Sequence, residues 1–394
     1  IMIIVGVLFF LLIYTWIIFP GVMLFAFRRD HHNRAALPRN EGTLPLTIVM
    51  FVHNEEGVLE NSLSALTTCS GDLWNAEFII ISDASTEGSH AVVERFQALD
   101  KRFTLIQSDE RLGKPGQWHK HQDMLRARKG YLLSLDADVV IQSEGWDILH
   151  RLVQQNPEAI VAGRSRSQSS SKEVYFDSES MYLSLETRLK LAEGDVFQGA
   201  IGVFGACYIL PCKNLPVIPP KLTVDDFFIA YAQLKAGKPS IVSHEIVAQE
   251  SVSGKLAVEF RRKRRITCGN WQNLLKLPKL PGRASFKTIW LLWSHKILRW
   301  LTPILGIALI VSGCFLDTFL QPYGYFWSLT CIGFIALCMV AHFLGERLFH
   351  RSPKLLQGFS YFIIMNVAVL CGTFDFILGR RQGIWKPTER MRNE

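Results

Sequence analysis

Several things are missing from this chain of 394 residues, and each absence narrows the field. There is no internal repeat and no low-complexity tract, so neither a solenoid nor a repetitive fibre is in view. No motif for reading RNA or DNA occurs. The formal net charge of +8 therefore fits a domain beside anionic lipid that binds an anionic nucleotide, with no nucleic-acid partner. The eight cysteines lack zinc-ligand spacing. Cys314, Cys331, Cys338 and Cys371 lie in apolar stretches, while Cys69, Cys207, Cys212 and Cys268 are scattered, and all are expected to be reduced and structural. His119 and His121 flank Lys120, a spacing that does not share a helix face, so a surface role is expected for them.

Charge is absent from Met2 to Phe27, which is long enough to cross a bilayer. Arg28, Arg29, His31, His32 and Arg34 follow, which places that flank in the cytoplasm and the N-terminus outside. A cleaved signal peptide is the rival reading, but the stretch lacks a basic leader and runs into arginines rather than a small-residue cleavage site. Further apolar stretches run over 301–319, 325–343 and 356–378. Ser285 to Trp300 mixes aromatic residues with His295, Lys296 and Arg299 and reads as an interfacial amphipathic helix. His342 and Glu346 are one helical turn apart, and an interfacial position explains them most cheaply. Three crossings after the middle domain would leave the basic tail outside, against its charge, so 356–378 is expected to be re-entrant or interfacial and the tail cytosolic. The expected plan is an anchor (1–27), a soluble domain (45–280), an interfacial helix (285–300), membrane segments (301–378) and a basic tail (379–394).

The soluble middle alternates strand and helix patterns. Thr47 to Val52, Phe78 to Ser82 and Phe103 to Gln107 read as buried strands; Glu55 to Thr68, Ser89 to Leu99 and Gly116 to Lys129 carry helical periodicity. Such alternation predicts an α/β domain with a parallel, Rossmann-like sheet. The apolar run Tyr131 to Ile141 carries Asp136 and Asp138, two apart and so on one face of a strand. Paired carboxylates at the C-terminal end of such a strand suit a hard divalent cation sharing its coordination shell with phosphates. The plain alternative is a solvated pair that ends a strand.

Taken in order, Val52-His-Asn54-Glu55-Glu56, Ser82-Asp83-Ala-Ser85-Thr-Glu87, Gly113-Lys114, Asp136-Ala-Asp138, Gly205, Asp225-Asp226 and Arg262-x-x-Arg265 resemble the membrane-bound family 2 glycosyltransferases. That family includes cellulose, hyaluronan, chitin and poly-N-acetylglucosamine synthases. The resemblance implies a GT-A fold flanked by transmembrane helices, a nucleotide sugar that is usually UDP-linked, Mg²⁺ or Mn²⁺, and inversion at the anomeric carbon. It implies a nucleobase and ribose pocket at Asn54, Glu55 and Asp83, with Lys114 near the nucleotide, although a solvated loop lysine is the plain alternative. Asp136 would touch the sugar nucleotide, Asp138 would ligate the metal, and Gly205 would shape the acceptor site, unless packing alone demands it.

An inverting transfer needs a base. Asp226, with Asp225, matches the family's acidic motif, although a helix N-terminus could use the same pair as caps. Within the run Arg261 to Arg265, placed to steady the departing diphosphate, Arg265 matches the Arg of the family's Gln-x-x-Arg-Trp pattern and Arg262 stands at its Gln position; the same run could instead bind lipid headgroups. Ile266 stands where the family has a Trp, and Trp271 is a candidate replacement platform for the acceptor. This departure points to short products, or to a homodimer or partner subunit that completes a channel. Trp385 to Arg390 is similar to a terminal signature of related synthases. The expected activity is transfer of a sugar to a glycan or lipid acceptor at the cell membrane, with the catalytic domain in the cytoplasm. Two alternatives stand beside it: a distributive transferase acting on a polyprenyl phosphate or other lipid, and a catalytically silent scaffold. Retention of both Asp138 and Asp226 argues against the scaffold.

Overall fold

Among the described residues, strands rich in β-branched and apolar residues build one eight-stranded sheet, as their patterning dictates. The computed structural model describes residues 1–30, 42–69, 73–168, 176–251, 256–319 and 353–380, with part of 329–343. The strands are β1 (Leu44–Val52), β2 (Trp74–Asp83), β3 (Phe103–Ser108), β4 (Tyr131–Leu135), β5 (Val140–Ile141), β6 (Ile160–Gln168), β7 (Cys207–Pro211) and β8 (Ser240–Ser251). They lie in the order β3-β2-β1-β4-β7-β6-β8-β5. From β3 to β4 the pairing is parallel, with Ile48 opposite Phe78 on one side and Leu133 on the other. Beyond β4 the expectation of a parallel sheet fails. β7 runs antiparallel to both β4 and β6, because the chain re-enters from the opposite end after a long helix.

Alternation along the strands splits the core into two layers. Ile48 and Met50 pack with Leu59 and Leu63 of helix α2 (Glu56–Cys69), Val92 and Val93 of α3 (Ser89–Leu99), and Trp146 of α5 (Ser143–Gln155). Val49 and Ile79 face the other way, onto Trp118 of α4 (Gly113–Arg126), Leu189 of α6 (Phe176–Phe197) and Phe228 of α7 (Asp226–Lys235). That second layer continues into Phe19, Met23, Leu291 and Ile297, so the sheet and the apolar helices share one core.

Among the described residues three helices are long and apolar enough to cross a membrane: α1 (Met2–Phe27), α9 (Phe286–Phe315) and α10 (Lys354–Ile377). The segment 285–300, expected as a separate helix, runs without a break into the apolar residues beyond it, which corrects that boundary. The segment 356–378, expected to be re-entrant or interfacial, falls within one unbroken helix of 24 residues. Part of 325–343 and all of 381–394 lie outside the described residues, as do His342, Glu346 and the terminal signature.

Helix α8 (Leu256–Lys276) runs against α10. A side chain at Gly372 would collide with the Arg264 carbonyl oxygen, so the glycine lets the two helices meet. Arg264 then grips buried Asp375 through Nε at 2.5 Å and Nη2 at 2.8 Å.

Candidate active site

The site begins where β2 ends. Asp83 is buried, and its carboxylate accepts from the backbone N–H of Leu112 (2.7 Å) and Gly113 (2.8 Å) and from Gln117 Nε2 (2.7 Å). A carboxylate is favoured at a helix N-terminus, so Asp83 pins the start of α4 while still lining the cavity. Glu55 also lines the cavity, with His53, which carries no motif signal of its own in the sequence. Asn54 is absent from that lining. Its backbone is left-handed (φ 55°), and Oδ1 accepts from Thr86 N–H at 2.8 Å, so Asn54 braces the loop after β2 rather than facing a ligand.

Asp136 and Asp138 do not sit on a continuous strand. β4 stops at Leu135, and a turn closed by Val139 N–H to the Asp136 carbonyl (3.1 Å) carries the pair. Both still line the cavity at the end of β4, which is where a ligand of such a sheet binds. Lys114, in the first turn of α4, reaches across to Asp136 Oδ1 at 2.6 Å and to the Gly205 carbonyl at 3.0 Å. Burial works against its charge, but Asp136, Asp225 and Asp226 outweigh that and hold its pKa above the ordinary lysine value.

Gly205 is pressed against the catalytic candidate. A Cβ there would stand 3.1 Å from Asp226 Oδ2 and 3.5 Å from its Cγ. Asp225 and Asp226 open α7 but differ in setting. Asp225 is buried and accepts from the indole N–H of fully buried Trp118 at 3.0 Å. Burial raises its pKa, with Asp226 adding to the shift and Lys114 opposing it. Asp226 is half-buried in the cavity wall, and its Oδ1 takes the N–H of Phe227 at 2.6 Å. Capping and exposure to the cavity therefore coexist at Asp226.

Helical periodicity divides the basic run. Arg262, Lys263 and Arg265 line the cavity, Arg264 turns away to Asp375, and Arg261 is exposed. Arg262 also pairs with Glu259 at 3.5 Å. Among the described residues Arg265 has no ion-pair partner, and burial, with Arg262 beside it, lowers its pKa against the pull of Asp225 and Asp226. Trp271 is not brought to the cavity. Its indole N–H donates to Thr373 at 3.0 Å and its ring packs on Trp300 and Phe376. Trp300 lines the cavity instead, edge-on to Phe227 at 5.7 Å.

A polar cluster that sequence reasoning missed completes the wall. Glu186, Lys190 and Glu193 on α6 face His295, Lys296 and Arg299 on α9. Glu186 pairs with Lys296 Nζ (2.7 Å), Arg299 Nη1 (2.8 Å) and His295 Nε2 (2.9 Å), while Glu193 Oε1 lies 2.6 Å from His295 Nδ1. Burial pushes the Glu186 pKa up, but His295, Lys296 and Arg299 hold it well below the usual carboxylate range. The spacing of Glu186, Lys190 and Glu193, four and three apart, was the available signal of one charged helix face.

All of this surrounds one cavity of about 1880 Å³, running from Asp83 and Asp136 past Asp226 to Trp16, Phe362 and Met365 of the apolar helices. Small-molecule sites are commonly about 300–1,000 Å³, so the space admits two substrates side by side. Its donor end offers two carboxylates, the hard oxygen ligands that Mg²⁺ and Mn²⁺ take beside phosphate and water. Among the described residues no three His, Cys, Asp or Glu side chains form a larger cage. The donor set thus fits such an ion through Asp136 and Asp138.

Residues 47–208 match the sequence profile of glycosyl transferase family 2. The fold is similar to that of the mannosyltransferase PcManGT from Pyrobaculum calidifontis, solved in complex with GDP-Man and Mn²⁺. That likeness covers 96% of this chain and 99% of the other, at 14% identity and a TM-score of 0.66. A weaker likeness, to GalNAc-T7 with UDP, GalNAc and Mn²⁺, covers 54% of this chain and 44% of the other, at 13% identity and a TM-score of 0.41. No curated protein sequence matched. The mixed α/β sheet is of the GT-A kind.

Proposed function

We propose that this protein is a membrane-embedded, metal-dependent, inverting glycosyltransferase that moves a sugar from a nucleotide diphosphate to a glycan or lipid acceptor. One observation carries the reading: Asp83, Lys114, Asp136, Asp138, Asp226 and Arg265 converge on one cavity that continues between apolar helices. The family 2 match over 47–208 and the GT-A fold support the same class of chemistry. The neighbour crystallised with GDP-mannose makes that donor a first candidate beside the UDP-sugars.

In this reading the nucleotide lies over the ends of β1 and β2, against Glu55 and Asp83. A divalent ion held by Asp136 and Asp138 would neutralise the diphosphate. Asp226 takes the proton of the acceptor hydroxyl as it attacks the anomeric carbon, and Arg265 with Lys114 steadies the departing diphosphate. Lys114 also ties Asp136 to the Gly205 carbonyl, which keeps donor and acceptor walls in register. The apolar helices are read as crossing the bilayer, with the acceptor reaching Asp226 from between them. The test is incubation of the purified protein with radiolabelled UDP-sugars and GDP-mannose, with Mn²⁺ or Mg²⁺ and membrane extract, and then sizing of the products. Transfer from one donor, abolished by chelator, is expected; no transfer from any donor would sink the reading.

A further inference from the structure

The acceptor end of the cavity holds positive charge in an unusual condition. Arg299 is 7% exposed, and only its Nη1 is satisfied, by Glu186; Nε and Nη2 have no hydrogen-bond partner, and its guanidinium faces the Trp16 ring at 5.0 Å. Buried donors left unmet are costly, and a guanidinium presents them in a fork matched to phosphate. Lys190, also 7% exposed, donates to the Val203 carbonyl at 3.2 Å and lies over the Phe204 ring at 3.9 Å, with no carboxylate in ion-pair range among the described residues. Burial and neighbouring Lys296 bring its pKa down to about 8, with Glu186, Asp226 and Glu193 pulling the other way. Of the three cations only Lys296 and Arg299 reach a carboxylate, and both use Glu186, which His295 Nε2 also contacts while Nδ1 contacts Glu193.

The rest of this end is apolar. Trp16, Phe362, Met365 and Val369 line the same cavity and belong to helices long enough to cross a membrane. A ligand matching both halves has a compact multiple anion joined to a long hydrocarbon. We propose that Lys190, Lys296 and Arg299 seat the phosphate of a lipid-borne glycan acceptor, whose hydrocarbon lies along the apolar helices and whose sugar hydroxyl points toward Asp226. The proposal rests on the glycosyltransferase reading for the transfer step, but the binding itself is separable. A Cβ at Gly202 would stand 3.8 Å from Lys296 Cε and 3.9 Å from the Cα of Phe227, so Gly202 is flanked by this cation and by the residue that follows Asp226.

The experiment measures binding of a polyisoprenyl phosphate to the full chain in nanodiscs, with no nucleotide sugar present. Matching polyisoprenol, inorganic phosphate and phosphatidylglycerol are run as competitors. The phosphorylated lipid is expected to bind at least tenfold more tightly than the alcohol or either phosphate source alone. Lys190→Met and Arg299→Gln are each expected to erase about tenfold of that preference, the range for a lost charge-assisted hydrogen bond, with Mn²⁺-dependent binding of UDP or GDP unchanged. Lys190→Met keeps every ion pair of Glu186, so it remains informative if Arg299→Gln fails to fold. Equal binding of the alcohol, or a preference untouched by Lys190→Met, overturns the site. Full competition by inorganic phosphate or phosphatidylglycerol overturns the acceptor assignment. Failure of sugar transfer with intact lipid-phosphate binding would instead count against the glycosyltransferase reading alone.

Discussion

Replacing Asp226 by Asn removes the proposed base while changing almost nothing else. The amide oxygen can still accept the Phe227 N–H that Asp226 Oδ1 takes at 2.6 Å, and the side chain keeps its volume beside Gly205. Asp226 is half-buried and the substitution relieves repulsion on buried Asp225, so the folded state should shift by no more than about 0.5 kcal/mol. Loss of general-base assistance costs roughly 10²- to 10⁴-fold in turnover, or about 2.7 to 5.4 kcal/mol of barrier. Turnover measured by product counting, nucleotide affinity by calorimetry and melting temperature together separate these effects. The expected pattern is a collapse of turnover with the other two nearly constant. Asp225→Ala is the contrast: it strands the indole N–H of fully buried Trp118, so a loss of about 1–3 kcal/mol of stability is expected. Turnover of Asp226→Asn within a few-fold of the parent, or an equal fall in nucleotide affinity, would refute the assignment.

Asp138→Asn is expected to weaken Mn²⁺-dependent nucleotide binding while metal-free binding stays put; calorimetry with and without chelator reads the difference. Arg264→Met should remove both charge-assisted hydrogen bonds from Asp375, which is 2% exposed, and lower stability by on the order of 3 kcal/mol. The double variant Arg264→Met with Asp375→Leu should recover most of that melting temperature, and a failure to recover would argue against the pair. Lys190 is a cation whose folded pKa, about 8, lies below its ordinary 10.5. The folded state therefore binds fewer protons than the unfolded one between those values, so stability rises with pH across pH 8 to 10.5 and is lost as pH falls through 8. Against Lys190→Met, the parent should gain roughly 3 kcal/mol over that window, read from melting temperatures at each pH.

The strands of the parallel half were legible because their apolar runs needed no partner to be recognised: Ile48 to Met50 and Phe78 to Ile81 are buried wherever they pair. What sequence could not supply was direction in space. Asp136 and Asp138 share a cavity through a turn, not through strand alternation, since a backbone hydrogen bond back to Asp136 ends the pleat first. The run from Arg261 to Arg265 reads as one block of charge until a helix turns Arg264 away from Arg265. Trp271 and Trp300 are alike as letters, and only packing decides that Trp300 meets the cavity. The cluster of Glu186, Lys190 and His295 escaped notice because its halves are about a hundred positions apart and each half is an ordinary charged helix face until the two meet.

The grip of Arg264 on Asp375 makes α8 a lever on α10. At about 1.5 Å per residue, the 24 residues of α10 extend about 36 Å, longer than the roughly 30 Å hydrocarbon layer, so in the bilayer-spanning reading proposed above the helix would lean over to fit. In that reading its lean would answer to bilayer thickness as well as to the helices it packs on, and Arg262 and Arg265 ride on the helix clamped to it. A transferase built this way would be tuned by the acyl chains around it, and the same purified protein should turn over at different rates in thin and thick bilayers.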